Sequence, residues 1–239
     1  MDEIDPFIIA PAAPTASRPL IGLTVLVVED SRFACEAMRL LCLRSGARIR
    51  RADCLRSARR HLKVYRPSVA IIDLGLPDGS GADLIKELSE ATPRVAAVFA
   101  TSGDENGDAV ARAAGADGFM AKPITSLALF QDMVLARMPK DRRPAGLRVV
   151  SNENVVPDPI AYRDDMAHVA DVLGESADDA TLDYIAQFVS GVARSANDAP
   201  LHNAAKALAR ARAQGRPVVA NTAKIAGLIQ DRLGQKIAL

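Results

Sequence analysis

The strongest constraint on this chain is an alternation. Between Leu23 and Met138, short apolar runs that end in polar residues recur between stretches with helical spacing. Leu23 to Val28 reads as a buried strand. Arg32 to Arg44 then sets Phe33, Ala37, Leu40 and Leu41 on one helical face, and Gly46 stands where a helix ends. The pattern goes on as a strand near 48–52, a helix over 55–65, a strand over 69–73, a helix over 81–91, a strand over 95–100, a helix over 107–115, a strand over 118–121 and a helix over 125–138. Five strands alternating with five helices predict an α/β fold, a doubly wound five-stranded parallel sheet covered on both faces. Such sheets bind ligands at the carboxyl ends of their strands.

Chemistry gathers at those ends. Strand one ends in Glu29-Asp30, strand three in Asp73, strand four in Thr101 and strand five in Lys122-Pro123. Parallel strands point the same way, so these groups converge on one edge. Taken singly, an Asp at a strand end reads as a helix cap, a Thr as β propensity and a Lys before Pro as a turn; their joint placement at four of five strand ends does not read that way. Crowded carboxylates repel, and the remedies are a raised pKa, a Lys partner or a divalent cation. A set of oxygen ligands favours magnesium.

The motifs that carry these residues are Val25-Leu26-Val27-Val28-Glu29-Asp30-Ser31, Ile71-Ile72-Asp73-Leu74-Gly75-Leu76-Pro77-Asp78-Gly79, Ala100-Thr101-Ser102 and Gly115-Ala116-Asp117-Gly118-Phe119-Met120-Ala121-Lys122-Pro123. Over about residues 22–140 the chain resembles the receiver domain of two-component response regulators, which has the flavodoxin-like fold. The resemblance implies that Asp73 is the phosphoacceptor. It further implies that Glu29, Asp30, Asp73 and the carbonyl of Gly75 hold Mg2+, and that Thr101 and Lys122 bind the phosphoryl oxygens. Phe119 takes the place of a switch aromatic, and the Lys122-Pro123 bond is expected to be cis. Thr101 drawn toward the phosphoryl group vacates volume for Phe119, changing the face formed by helix 107–115, strand 118–121 and helix 125–138. The partners implied are a histidine kinase or histidine phosphotransferase, with homodimerisation through that face. No enzymatic activity is expected beyond self-phosphorylation from phosphodonors and autodephosphorylation. Gly75 and Gly103 occupy positions whose side chains influence phosphoryl hydrolysis in the family, and glycine can neither shield nor orient a water.

Outside this region the pattern changes. Residues 1–19 hold four prolines and read as a flexible arm before a receiver over 20–139. Residues 140–159 read as a proline-marked linker with an extended piece at 147–150. Beyond it, helices are expected at 160–173, 178–196, 200–213 and 217–233, a small all-α domain over 160–239. Apolar stripes at Ile160, Val169, Val172 and Leu173, and at Leu182, Ile185, Phe188 and Val189, suit a binding or dimerisation module whose protein target is unknown. No second catalytic motif or Gly-rich phosphate loop appears there. DNA binding is the alternative, because from Arg194 onward eight bases face only Asp198 and Asp231. It is not favoured: in a helix-turn-helix with Gly215 at the turn, the position that should be buried falls near Asn221. His202 lacks the His-x-x-Lys-Gly spacing of a phosphotransfer helix, and His168 stands alone, so both read as boundary residues.

Composition narrows the rest. Net charge +1, 49% hydrophobic and 25% charged residues fit an ordinary soluble chain and disfavour a polyanion-binding tail. Apolar runs such as Val95 to Ala100 are too short for a membrane, and the start has no basic segment for a secretory signal. Cys35, Cys42 and Cys54, odd in number and without Cys-x-x-Cys spacing, read as reduced core thiols of a cytoplasmic protein. From Arg44 to Arg66 nine bases face Asp53 alone. That charge is ordinary protection of an edge strand, with an acidic partner as the alternative.

Overall fold

A computed structural model describes residues 13–146, 150–174 and 178–235; positions 1–12 of the expected arm and 147–149 of the expected extended piece lie outside them. The chain runs β1 (Thr24–Val28), α1 (Arg32–Ser45), β2 (Arg48–Ala52), α2 (Leu55–Val64), β3 (Val69–Asp73), a short hairpin of β4 (Gly75–Leu76) and β5 (Gly79–Ser80), α3 (Gly81–Glu90), β6 (Ala97–Ser102), α4 (Gly107–Ala113), β7 (Gly118–Ala121) and α5 (Leu127–Arg137). The five long strands pair in parallel in the order β2-β1-β3-β6-β7. Strands β3 and β6 are buried throughout because helices cover both faces of the sheet. Val25, Val27, Ile71 and Phe99 pack with α1 and α5, whereas Leu26, Ile72 and Val98 pack with α2, α3 and α4. Strand β2 is an edge, and its Arg48, Arg50 and Arg51 are exposed along it.

Local chemistry sets the boundaries. Ser31 caps α1 by accepting from the Ala34 N–H, and Gly46 ends it at φ 84, a left-handed conformation that a side chain resists. The hairpin β4–β5 was not legible, since two-residue strands show no periodicity. The fourth long strand runs 97–102 rather than 95–100, which corrects the expectation that Thr101 follows the strand. Thr101 lies within β6 and pairs across the ladder with Asp73. Cys35 and Cys42 are buried thiols, but Cys54 is a correction: it is half-buried and its sulfur caps α2, accepting from the Ser57 N–H.

The remaining described elements are a 3-10 turn (Lys140–Arg142) and four helices, α6 (Pro159–Gly174), α7 (Asp179–Ser195), α8 (Ala199–Ala213) and α9 (Val219–Gly234). The helices close on a core of Met166, Val169, Ile185, Val189, Leu201, Leu208, Ile225 and Ile229. Ile160, assigned to an apolar stripe above, is instead exposed. The segment read as a linker is partly bound to the sheet domain. Leu127 donates its N–H to the Glu153 carbonyl (3.0 Å), Val155 donates to Thr125 (2.9 Å), and the Val155 side chain joins the core beneath α1 and α5. Helix α6 packs on α1, and α7 packs on α1 and β4.

Candidate functional site

The carboxyl ends of β1, β3, β6 and β7 bring Glu29, Asp30, Asp73, Thr101 and Lys122 to one edge, where the strand order reverses between β1 and β3. One carboxylate oxygen from each of Glu29, Asp30 and Asp73 lies within 4.8 Å of the others. The Lys122 ammonium is buried between two of them, 2.6 Å from Glu29 Oε2 and 2.8 Å from Asp73 Oδ2. The Lys122-Pro123 bond is cis, as expected. Gly81 lets the start of α3 lie against the end of β3, because a Cβ there would stand 1.9 Å from the Asp73 carbonyl oxygen.

Three carboxylates against one ammonium leave an excess of negative charge in a poorly solvated place. Burial, then the nearby Asp73 charge, pushes the Glu29 carboxyl well above its ordinary range against the pull of Lys122. The same two causes push Asp30 up to about 7. Burial lowers the affinity of Lys122 for its proton, but Asp73 and Glu29 outweigh it, and the ammonium is held charged. A cluster of oxygen donors with this imbalance fits a divalent cation of the magnesium type. Beside it, the Thr101 hydroxyl is buried without a hydrogen-bond partner; among the described residues only Tyr65 shares that condition. An orphaned buried donor is costly, and a ligand oxygen placed beside Asp73 would satisfy it. Phe119 is half-buried, and its ring fills the space that a side chain on Gly107 would take.

A further wall comes from the helical module, and its contacts with the strand ends are not legible in the sequence. The Tyr184 hydroxyl donates to Asp30 Oδ2 at 2.8 Å. Gln187 lies over Gly75, where a Cβ would be 2.3 Å from its Nε2, and Gly191 approaches Gly103, where a Cβ would be 3.4 Å from the Gly191 Cα. Arg194 donates to the Gly103 carbonyl. Thus both glycines that lack a side chain are faced by α7. A cleft of about 710 Å³ remains between the strand ends and helices α7 and α8, with Asp73, Lys122, Gln187, His202 and Lys206 among its walls. His202 Nδ1 pairs with Ser190 at 3.1 Å, and the His168 ring meets Phe188 edge-on, so both histidines have structural partners. Tyr184 and Gln187 stand more than a hundred residues from the groups they meet, and no local motif marks them.

Residues 25–133 match the family model of the response regulator receiver domain. The KDP operon transcriptional regulatory protein KdpE of Escherichia coli is 31% identical over 99 residues, covering 41% of this chain and 44% of that protein. The virulence transcriptional regulatory protein PhoP of Salmonella typhimurium is 32% identical over 127 residues, covering 52% of this chain and 54% of that protein. The chain thus spans about half the length of the curated relatives it matches. A putative response regulator from Chloroflexus aurantiacus is similar in structure over 48% of this chain and 98% of its own, at 25% identity and a TM-score of 0.44.

Proposed function

We propose that the chain, whose residues 25–133 match the response regulator receiver domain, is a phosphorylation-activated switch that accepts a phosphoryl group on Asp73 from a histidine kinase or histidine phosphotransferase. The observation that carries this reading is the pairing of Asp73 with the buried Lys122 ammonium beside the unpartnered Thr101 hydroxyl. A carboxylate attacks phosphorus poorly unless the charge on the transferring oxygens is neutralised. Asp73 supplies the attacking oxygen; the new P–O bond replaces the P–N bond of the donor, and that electron pair returns to the imidazole. Lys122 can turn its ammonium from the carboxylates to a phosphoryl oxygen, and Thr101 can donate to another. Glu29, Asp30, Asp73 and the carbonyl of Gly75 are the groups that would hold magnesium, which supplies further charge neutralisation when bound. The hydrogen bond drawn from Thr101 frees space toward Phe119, which links the site to the face of α4, β7 and α5. Val110 and Leu129 are exposed there, apolar side chains suited to a second copy.

Signalling then runs through protein contacts of this face or of the helical module. The relatives KdpE and PhoP are transcriptional regulatory proteins, and DNA contact by α8 and α9 is the second reading. It is weakened by Arg212, which is held by Asp179 and Asp183 and so is not free for phosphates. The test of the main reading is phosphoryl labelling from a small phosphodonor. Wild-type protein should form an acid-stable, base-labile acylphosphate, and Asp73→Asn should form none. Equal labelling of the two would remove Asp73 from this role.

A further inference from the structure

Helix α7 meets the strand-end edge at three points around Asp73: Tyr184 on the Asp30 carboxylate, Gln187 on the face of Gly75, and Gly191 with Arg194 at Gly103. Two of these points are the groups that would hold magnesium in the reading above, on which this inference rests. The Asp30 carboxylate gives one oxygen to the Tyr184 hydroxyl, and Gly75 is covered by the Gln187 amide. We propose that α7 is an intramolecular lid on the phosphoacceptor site, latched by the Tyr184–Asp30 hydrogen bond, and that magnesium binding and phosphotransfer from a protein donor work against its closure.

The chemistry of the latch is specific. A phenol hydroxyl bound to a carboxylate is a charge-assisted hydrogen bond, and a cation coordinated by that carboxylate draws away the same electron density. The glycines at 75 and 103 are what allow the helix to lie so close, since a Cβ at Gly75 would collide with Gln187. A small ion can reach the site through the cleft beside α8, whereas a histidine carried on another protein must come within bonding distance of Asp73, whose residue is only 7% exposed under this cover. The lid thus separates two kinds of donor, admitting small phosphodonors more readily than protein ones. Linkage is reciprocal: whatever binds the open site better than the closed one shifts α7 outward.

The experiment is magnesium titration of the full chain by calorimetry, comparing wild type with Tyr184→Phe. Phenylalanine keeps the ring contact with Phe188, whose centroid lies 5.6 Å away, so the variant loses the hydroxyl and not the packing. Removing a hydrogen bond to a charged acceptor should tighten magnesium binding by about tenfold. In wild type, magnesium should speed hydrogen exchange in α7, and Gln187→Ala should do so without it. The proposal is overturned by equal affinities, by weaker binding by Tyr184→Phe, which would make the hydroxyl a support of the site, or by slower exchange of α7 with magnesium. Absence of binding by both chains also overturns it. The role of Asp73 is read separately from the label lost in Asp73→Asn, so failure of the lid and failure of the phosphoacceptor reading give different patterns.

Discussion

Asp198 ties three helices of the C-terminal module together through one carboxylate. It caps α8 by accepting from the Leu201 N–H at 3.1 Å, takes two bonds from Arg232 of α9 at 2.8 and 3.0 Å, and accepts from the Tyr162 hydroxyl of α6 at 2.8 Å. Burial works to raise its pKa, but the bonds from Arg232 and Tyr162 prevail and hold it below the usual carboxylate range. A depressed folded pKa gives stability that is present above the unfolded value and lost as pH falls through that value toward the folded one. Asp198→Asn should cost about 2 kcal/mol in urea unfolding near neutral pH, since Arg232 keeps a poorer acceptor. The gap between variant and wild type should shrink once the medium is acidic enough to protonate Asp198. A gap that persists unchanged would assign the loss to something other than the charge. In the sequence this residue was only one acid in a basic stretch, whereas Glu29, Asp30, Asp73, Thr101 and Lys122 were legible as a group because strand ends in a parallel sheet must converge. Tyr184 could not be read, because its function depends on where a second module comes to rest.

Elements show the same division. The apolar runs and helical stripes gave most helices and strands to within a residue or two, because burial on both faces leaves a continuous apolar signal. The hairpin at 75–80 and the true extent of β6 depend on ladder hydrogen bonds that no periodicity records. Least visible of all is the shared cap of α1. Ser31 is its local cap, but Asp165 of α6 accepts from the Ser31 hydroxyl at 2.7 Å, the Arg32 N–H at 2.8 Å and the Phe33 N–H at 3.1 Å. A buried carboxylate at a helix N-terminus, receiving three donors, is among the stronger single contacts between two units. Its neighbour Asp164 pairs with Arg32 at 2.8 Å, with both side chains largely in solvent. Asp165→Ala should therefore cost about 2–3 kcal/mol, with buried donors left unsatisfied, and Asp164→Ala less than about 1 kcal/mol. Denaturant midpoints at constant slope measure both. Comparable losses would mean that α6 is held on α1 by its apolar face alone.

For the whole molecule, the path between sheet and helices decides how far a lid can open. The strap at 153–155 is hydrogen-bonded to the start of α5, Val155 is buried in the sheet domain's core, and Glu153 pairs with Arg44 of α1. Pro157 is buried as well, and α6 begins at Pro159, so little chain is left free between the anchor and the first helix. At roughly 3.5 Å per extended residue, so short a tether permits a pivot of the module and not its release. It also keeps the effective concentration of α7 at the site high, so a modest latch suffices to hold it closed. Val155→Asp places a charge in that core and should free the strap, lengthening the tether back toward the end of α5. Combined with Tyr184→Phe, it should raise the radius of gyration in small-angle scattering by a few ångströms, whereas Tyr184→Phe alone should leave it nearly unchanged. If the single variant expands as much as the double one, the strap is not what limits the motion, and the hinge lies within the helices.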